Sequence, residues 1–391
     1  MEPQKRKVGL FTFGITLILI GTVYIVNLYT NIPIIKDLYL LWPIFLIMLG
    51  LEFIITKLIY DRKKEYVRLS PSVLSIFLVV LILGVTFLWQ HIPDLKKAPE
   101  LFANIDYYKY NVNEPYDSGA IELKDVSTIK LDNTMGLIEV KDSADGKLRV
   151  SAMIKVRTND EAKAREYSKD AVKITQGTNT TIETKRMYDE SHILGSITVD
   201  YTIQMPKNIT LTIINSFGSI NVSGLKGALS ITNKNGTTDI SNIEGDVNIS
   251  NSFGSIVIGK IMGNVVANNT NGSVIATEIN GDAHLTSAFG KITAQSINGN
   301  LFAHTKNGEI VLSTIVGDID AATSFGAITV TLATLDNVAL DAQTRFGSII
   351  ASDFNLQPEK DTTTSKLIKI LGNNNRKIQL KTNNGSITIR K

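Results

Sequence analysis

The amino-acid sequence predicts a region of three transmembrane helices at the N-terminus followed by an all-β part, a right-handed parallel β-solenoid of about 18 residues per coil. Three observations lead there. Thirteen glycines, from Gly218 to Gly326, advance in steps of nine. Within each nine, the third and fifth positions are mostly Ile, Val, Leu or Ala, as in Ile220 with Val222 and Ile256 with Ile258, the period of a strand with one buried face. Upstream of residue 92 the pattern is different: three long apolar runs replace the alternation.

Bulk composition sets the outer limits. The chain has 391 residues, 43% hydrophobic but only 7% aromatic, with 28 glycines, a balance that favours short strands and tight turns over large aromatic cores. Lys and Arg outnumber Asp and Glu nine to five in residues 1–90 and are matched by them afterwards, so no basic face for nucleic acid is implied. The absence of cysteine excludes disulfides, thiolate zinc sites and a cysteine nucleophile.

Residues 1–92 read as the membrane region, with helices at 8–28, 38–59 and 73–90. The run "VGLFTFGITLILIGTVYIVN" carries no charge and, at about 1.5 Å per residue, matches a hydrocarbon core of about 30 Å. Lys5, Arg6 and Lys7 before the first run, and Lys57, Arg62, Lys63, Lys64 and Arg68 around the second connection, place those flanks on the cytoplasmic side. A multi-pass plasma-membrane protein with a cytoplasmic N-terminus and an extracytoplasmic C-terminal part is expected, with the lipid bilayer as a partner. Gly9, Gly14, Gly21 and Gly50 would permit close approach of a partner's helices. Glu52 inside the second run is costly in hydrocarbon, but it lies near enough to the end to reach water or Lys57.

Residues 93–120, polar and bearing tyrosine and proline, read as a linker. Residues 121–205 read as a β-rich cap with one helix in "NDEAKAREYSKDA", Asn159 being the candidate N-cap.

Residues 206–391 read as the solenoid. The eighth position is apolar only in every second nine (Leu225, Ile243, Ile261, Ile279, Ile297, Ile315), so the coil is 18 residues in two unequal halves. One coil cannot bury its strand faces or satisfy its edges, so coils must stack about 4.8 Å apart. A polar column then forms three residues before alternate glycines, running Asn215, Asn233, Asn251, Asn269, Ser287, Thr305, Thr323, Thr344 and later Thr382. A second column alternates Asp246, Asn264, Asp282, Asn300 and Asp318, which holds carboxylates two coils apart. After Gly326 the register slips: the next FG falls at Gly347 and the next NG at Gly385, and residues 353–375 are expected to bulge out as a loop. Arg390 and Lys391 on the final strand would blunt an open edge.

Candidate chemistry is sparse. His284 and His304 fall on adjacent coils two residues out of register, a spacing better suited to solvated surface histidines than to a metal pair. The Asp column differs from calcium-binding nonapeptide repeats, which need G-G-x-G-x-D where this chain has a single Gly followed at once by Asp. Asp318 and Asp320 share a face, as the acids of solenoid polysaccharide-degrading enzymes do, yet neither a G-x-S-x-G, a P-loop nor an H-E-x-x-H motif is present. No cofactor, metal or catalytic residue is assigned.

The best binding candidate is the stripe Phe217, Lys234, Phe253, Phe289, Lys306, Phe325, Arg345 and Phe346. Phe occupies the position before the corner glycine on every second coil, alternating with Asn235, Asn271 and Asn307. Outward rings would bind glycan, lipid headgroups or a partner protein; inward rings would be core plugs.

"GITLILIGTVYIV" at 14–26 and "WPIFLIMLGLEFI" at 42–54 resemble the LiaI/LiaF-like transmembrane region of Gram-positive bacteria. "YTIQMPKNITLTIINSFGSINV" at 201–222 and the FG and NG repeats after it resemble the putative-adhesin family of β-strand repeat domains. The resemblance implies a cell-envelope role near envelope-stress signalling and transfers no catalytic residues. The expected function is that of a non-enzymatic envelope scaffold, or a sensor or modulator of a membrane partner such as a histidine kinase. The alternatives are an adhesin for extracellular or cell-wall glycan or protein and, more remotely, a polysaccharide-degrading solenoid.

Overall fold

A computed structural model of the protein describes residues 4–9, 11–15, 18, 22, 42–62, 67–71, 108–185, 194–373 and 375–391, which belong to two units, Met1–Tyr107 and Tyr108–Lys391. In the first unit, strand β1 (Gln4–Val8) pairs in parallel with β2 (Val67–Pro71), and helix α1 spans Trp42–Arg62. The Glu52 carboxylate accepts the backbone N–H groups of Gly9 and Thr12, each at 2.8 Å, and the Thr12 hydroxyl. It thereby serves as a remote cap for the helical turn at residues 11–15.

Among the described residues no helix is long and apolar enough to cross a membrane. This overturns the expected three-helix membrane region and, with it, the multi-pass plasma-membrane location. Glu52 and Lys57 interrupt the apolar run of α1, and Lys5, Arg6, Lys7 and Arg68, expected as flanks of spans, lie in the paired strands β1 and β2. Most of the first expected span and all of the third lie outside the described residues.

The second unit is built from two facing sheets, of fourteen and thirteen strands. It begins with β3 (Tyr110–Ile121), β4 (Thr128–Met135), β5 (Ile138–Asp142), β6 (Leu148–Thr158), α2 (Glu161–Lys169), β7 (Val172–Thr175), β8 (Asn179–Thr184) and β9 (Leu194–Met205). Residues 110–120, expected in the linker, belong to β3, antiparallel to β6, because Val112 is buried and Tyr116 packs on the core. The N-cap of α2 is Asp160, whose carboxylate accepts from Ala162 and Lys163; Asn159 instead accepts the Lys109 N–H.

Seven regular coils follow, each giving one strand to each sheet. They are β10 (Thr210–Phe217) with β11 (Ile220–Ser223), β12 (Leu229–Asn235) with β13 (Thr238–Ile243), β14 (Val247–Phe253) with β15 (Ile256–Ile261), and β16 (Val265–Asn271) with β17 (Val274–Ile279). Then come β18 (Ala283–Phe289) with β19 (Ile292–Ile297), β20 (Leu301–Asn307) with β21 (Ile310–Ile315), and β22 (Ile319–Phe325) with β23 (Ile328–Thr331). Successive coils pair in parallel with each residue opposite its counterpart 18 positions on, as Ile249 opposite Ala267 and Ile258 opposite Ala276. Inward positions from both sheets, such as Val247, Ile249, Ile256 and Ile258, are at most 1% exposed. Each such side chain contributes about 1.5–3 kcal/mol of burial. At the second corner the chain steps through the left-handed region at Asn242, Lys260, Glu278, Ser296 and Thr314, which swings the following isoleucine inward. That is why the eighth position is apolar only once per 18.

The ends depart from chain order. The chain continues through β24 (Val338–Phe346), β25 (Ile349–Ile350), a 3-10 turn at Ser352–Phe354, β26 (Glu359–Lys360) and β27 (Ser365–Ile370) to β28 (Arg376–Asn384) and β29 (Ile387–Arg390). β28 lies between β22 and β24, and β29 between β23 and β25, so the last coil in sequence is the penultimate coil in space. Arg390 therefore lies on the penultimate strand of its sheet, opposite Thr331, and not on the edge strand. The segment expected as a loop forms β27, antiparallel on the outer side of β24. The edges are blunted instead by the two-residue strands β25 and β26. At the other end, β4 and β5 form a coil beneath β10 and β11, across the whole cap segment in sequence.

Candidate functional site

The stripe is built by one corner repeated in register. From Asn233 onward a buried Asn, Ser or Thr at each first corner donates its side-chain hydrogen to the glycine carbonyl of the coil below: Asn233 to Gly218 at 3.1 Å, Asn269 to Gly254 at 2.8 Å, Thr305 to Gly290 at 3.2 Å. The order in space continues through the inserted coil, with Thr382 donating to Gly326 and Thr344 to Gly385. Gly254 turns the chain at φ 113°, and a Cβ there would lie 2.4 Å from the Gly236 carbonyl oxygen. Only glycine fits that approach.

This turn decides where phenylalanine goes. Leu211, Ile213 and Asn215 are buried, and simple alternation would bury Phe217 as well. The chain has begun to turn by then, and Phe217, Phe253, Phe289, Phe325 and Phe346 are between 47% and 57% exposed. They form a single file with asparagines on the intervening coils: Phe217 opposite Asn235, Asn235 opposite Phe253, and so on to Phe325, Asn384 and Phe346. Lys234 and Lys306 are exposed beside the file and make no ion pair among the described residues, while the Arg345 guanidinium lies 5.4 Å from the centre of the Phe346 ring. Lys291 and Glu309 neutralise one another at 2.8 Å. All eight residues of the expected stripe are thus brought together at the surface, as outward rings rather than core plugs.

The Asp and Asn column of the other corner has structural employment. Asp246 accepts the Asn264 N–H at 2.7 Å, Asn264 that of Asp282 at 2.9 Å, Asp282 that of Asn300 at 2.7 Å, and Asp318 that of Lys377 at 2.8 Å. Each side chain satisfies a backbone donor one coil on. Among the described residues no three His, Asp or Glu groups converge as a metal site would require.

Sequence reasoning missed a second feature. Val266, His284, Phe302, Asp320, Gln379, Asp341 and Ile368 are register partners on the outer face of the larger sheet and line an open groove of about 950 Å³. His284 stacks on Phe302 with centroids 4.1 Å apart and planes 7° from parallel; His304 covers the ring's other side at 3.6 Å and meets Asp320 at 3.0 Å. Partial burial, then the neighbouring His304, hold the His284 imidazole below its ordinary pKa. The out-of-register histidines were visible in the sequence, but Phe302 between them needed the 18-residue pairing to be noticed.

Stacked coils, a committed acid column and one exposed aromatic file define a two-sheet parallel β-solenoid with a row of half-exposed rings along its corner. The chain belongs to the Toastrack DUF4097 family, whose model matches residues 126–390. Among solved structures it is similar to a putative cell adhesion protein from Clostridium sporogenes, at 12% identity over 72% of this chain and 99% of that one, with a TM-score of 0.21. It is likewise similar to a putative adhesin from Bacteroides fragilis (13% identity, 72% and 97% covered, TM-score 0.31). A third is a putative lipid binding protein from Parabacteroides distasonis (16%, 71% and 97%, 0.33). No function follows from likenesses at these TM-scores. No curated protein matches the chain. The family match ends short of the segments that resemble the LiaI/LiaF-like region.

Proposed function

We propose that the Toastrack domain is a non-enzymatic adhesion scaffold that holds a partner, glycan or protein, along its Phe stripe. The observation behind this reading is the single file of five half-exposed phenylalanines on a rigid parallel stack. Exposed apolar groups gathered on one face mark interaction sites, and here the rings recur in one file on alternate coils. Modulation of a signalling protein fits the same reading if that protein docks on this stripe.

The test is co-sedimentation of the full chain with isolated bacterial cell-wall sacculi and with sacculi stripped of protein. The wild type is expected to sediment and a Phe253→Ala, Phe289→Ala variant to stay in solution. Both rings are exposed, so stability is expected to move by no more than about 0.5 kcal/mol per site. Equal sedimentation of variant and wild type would remove the stripe from the function.

A further inference from the structure

We propose that the ligand of the stripe is an acidic, linear β-1,4-linked glycan in its extended two-fold form, lying along the stacking axis. This rests on the reading of the stripe as the adhesive surface and adds the ligand's chemistry.

Periodicity is the first ground. The file alternates ring and amide coil by coil, from Phe217 and Asn235 to Asn384 and Phe346. Like groups therefore recur every two coils, about 10 Å apart. In sequence order Phe346 would follow Phe325 directly; the alternation survives only because the C-terminal coil brings Asn384 between them. An extended β-1,4 glycan advances by nearly one coil per sugar and turns each sugar over relative to the last. One sugar would set its C–H face on a phenylalanine ring, and the inverted neighbour would face an asparagine amide. An amide donates and accepts, as hydroxyl groups do. A polyproline-type peptide also repeats near this distance, but it reaches it in three units of about 3.1 Å and has no N–H to offer the asparagine oxygen.

Charge is the second ground. Lys234 and Lys306 stand on asparagine coils without an ion pair among the described residues, and Arg345 stands at the end of the file. Glu309, beside the file, is already paired with Lys291. The uncompensated charge along the stripe is positive, which complements carboxylates repeated along a polymer.

The experiment is titration of the full chain with β-1,4-linked oligomannuronate of six to eight sugars, long enough to cross several ring coils. Binding is expected to weaken about tenfold or more in Phe253→Ala, Phe289→Ala, and to lose part of its salt sensitivity in Lys234→Ala, Lys306→Ala. Circular dichroism and thermal midpoints would confirm that both variants fold. Equal or tighter binding of α-1,4-linked oligogalacturonate or of an acidic proline-rich peptide would overturn the β-linked geometry, and equal binding of a neutral cello-oligosaccharide would overturn the acidic requirement. No oligomannuronate binding, or binding indifferent to the two phenylalanines, would overturn the proposal entirely. Stripe-dependent sedimentation with sacculi alongside that result would leave the adhesive reading standing and remove only the ligand class.

Discussion

Hydroxyl and amide side chains share one task in the corner column. Thr323 donates to the Gly308 carbonyl at 3.1 Å, and Thr323→Val keeps the shape while removing the donor, so urea denaturation is expected to show a loss of about 1–3 kcal/mol. Asn269 performs the same donation but buries an amide oxygen without a partner, so Asn269→Thr is expected to be neutral or stabilising in the same assay. At the opposite corner Thr314 is β-branched yet sits at φ 55°; Thr314→Asn is expected to raise stability by about 1 kcal/mol. His284 gives the pH dependence a sign. Its pKa is lowered in the folded state, so the unfolded chain takes up the proton more readily, and stability is unaffected above the ordinary histidine value and falls as pH drops below it. Thermal melts at pH 7.5 and 5.5 are expected to converge in His284→Gln relative to the wild type; an undiminished gap would remove His284 as its source. These residues were legible as columns in the sequence, but their donors and acceptors were not, because hydrogen-bond direction depends on which coil lies below.

The inserted C-terminal coil is the element on which the far end depends. Arg376 enters it half-buried and donates to the carbonyls of Gly317 at 2.8 Å and Ile315 at 2.7 Å, and its pKa is depressed by that burial. Arg376→Met is expected to leave two carbonyls without donors and to cost about 1–3 kcal/mol, whereas Lys377→Ala, at an exposed side chain, is expected to be nearly silent. Hydrogen exchange supplies the readout: amides of β24 and β25 should lose protection first in Arg376→Met, since they reach the stack only through β28 and β29. The slip after Gly326 was visible as a 21-residue gap, but not its resolution. Val338–Phe346 has the same alternation as Arg376–Asn384, and nothing local says which of them docks on β22. In the first unit the reverse happened: apolar runs suggested spans, and the Glu52 contacts with Gly9 and Thr12 came from residues forty positions away.

For the molecule as a whole, the 18-residue coil makes stability additive along one axis. Deleting residues 255–290, two whole coils, is expected to give a folded chain with the same β-type circular dichroism spectrum and a smaller urea m-value, since less surface is exposed on unfolding. Deleting residues 255–281, one and a half coils, would join a corner of one sheet to a strand of the same sheet and is expected to abolish cooperative unfolding. The same repetition places the phenylalanines of the stripe in register on alternate coils.

The sequence by itself determined the coil: glycine spacing, period-two alternation and the polar columns are local consequences of strand geometry repeated every 18 residues. Tertiary structure alone decided the order of the end coils, the groove centred on Phe302, and the outward aim of the phenylalanines. Parity along a strand says inward for Phe217, and only the turn at Gly218, forced by the carbonyl of Gly136 stacked against it, rotates the ring into solvent.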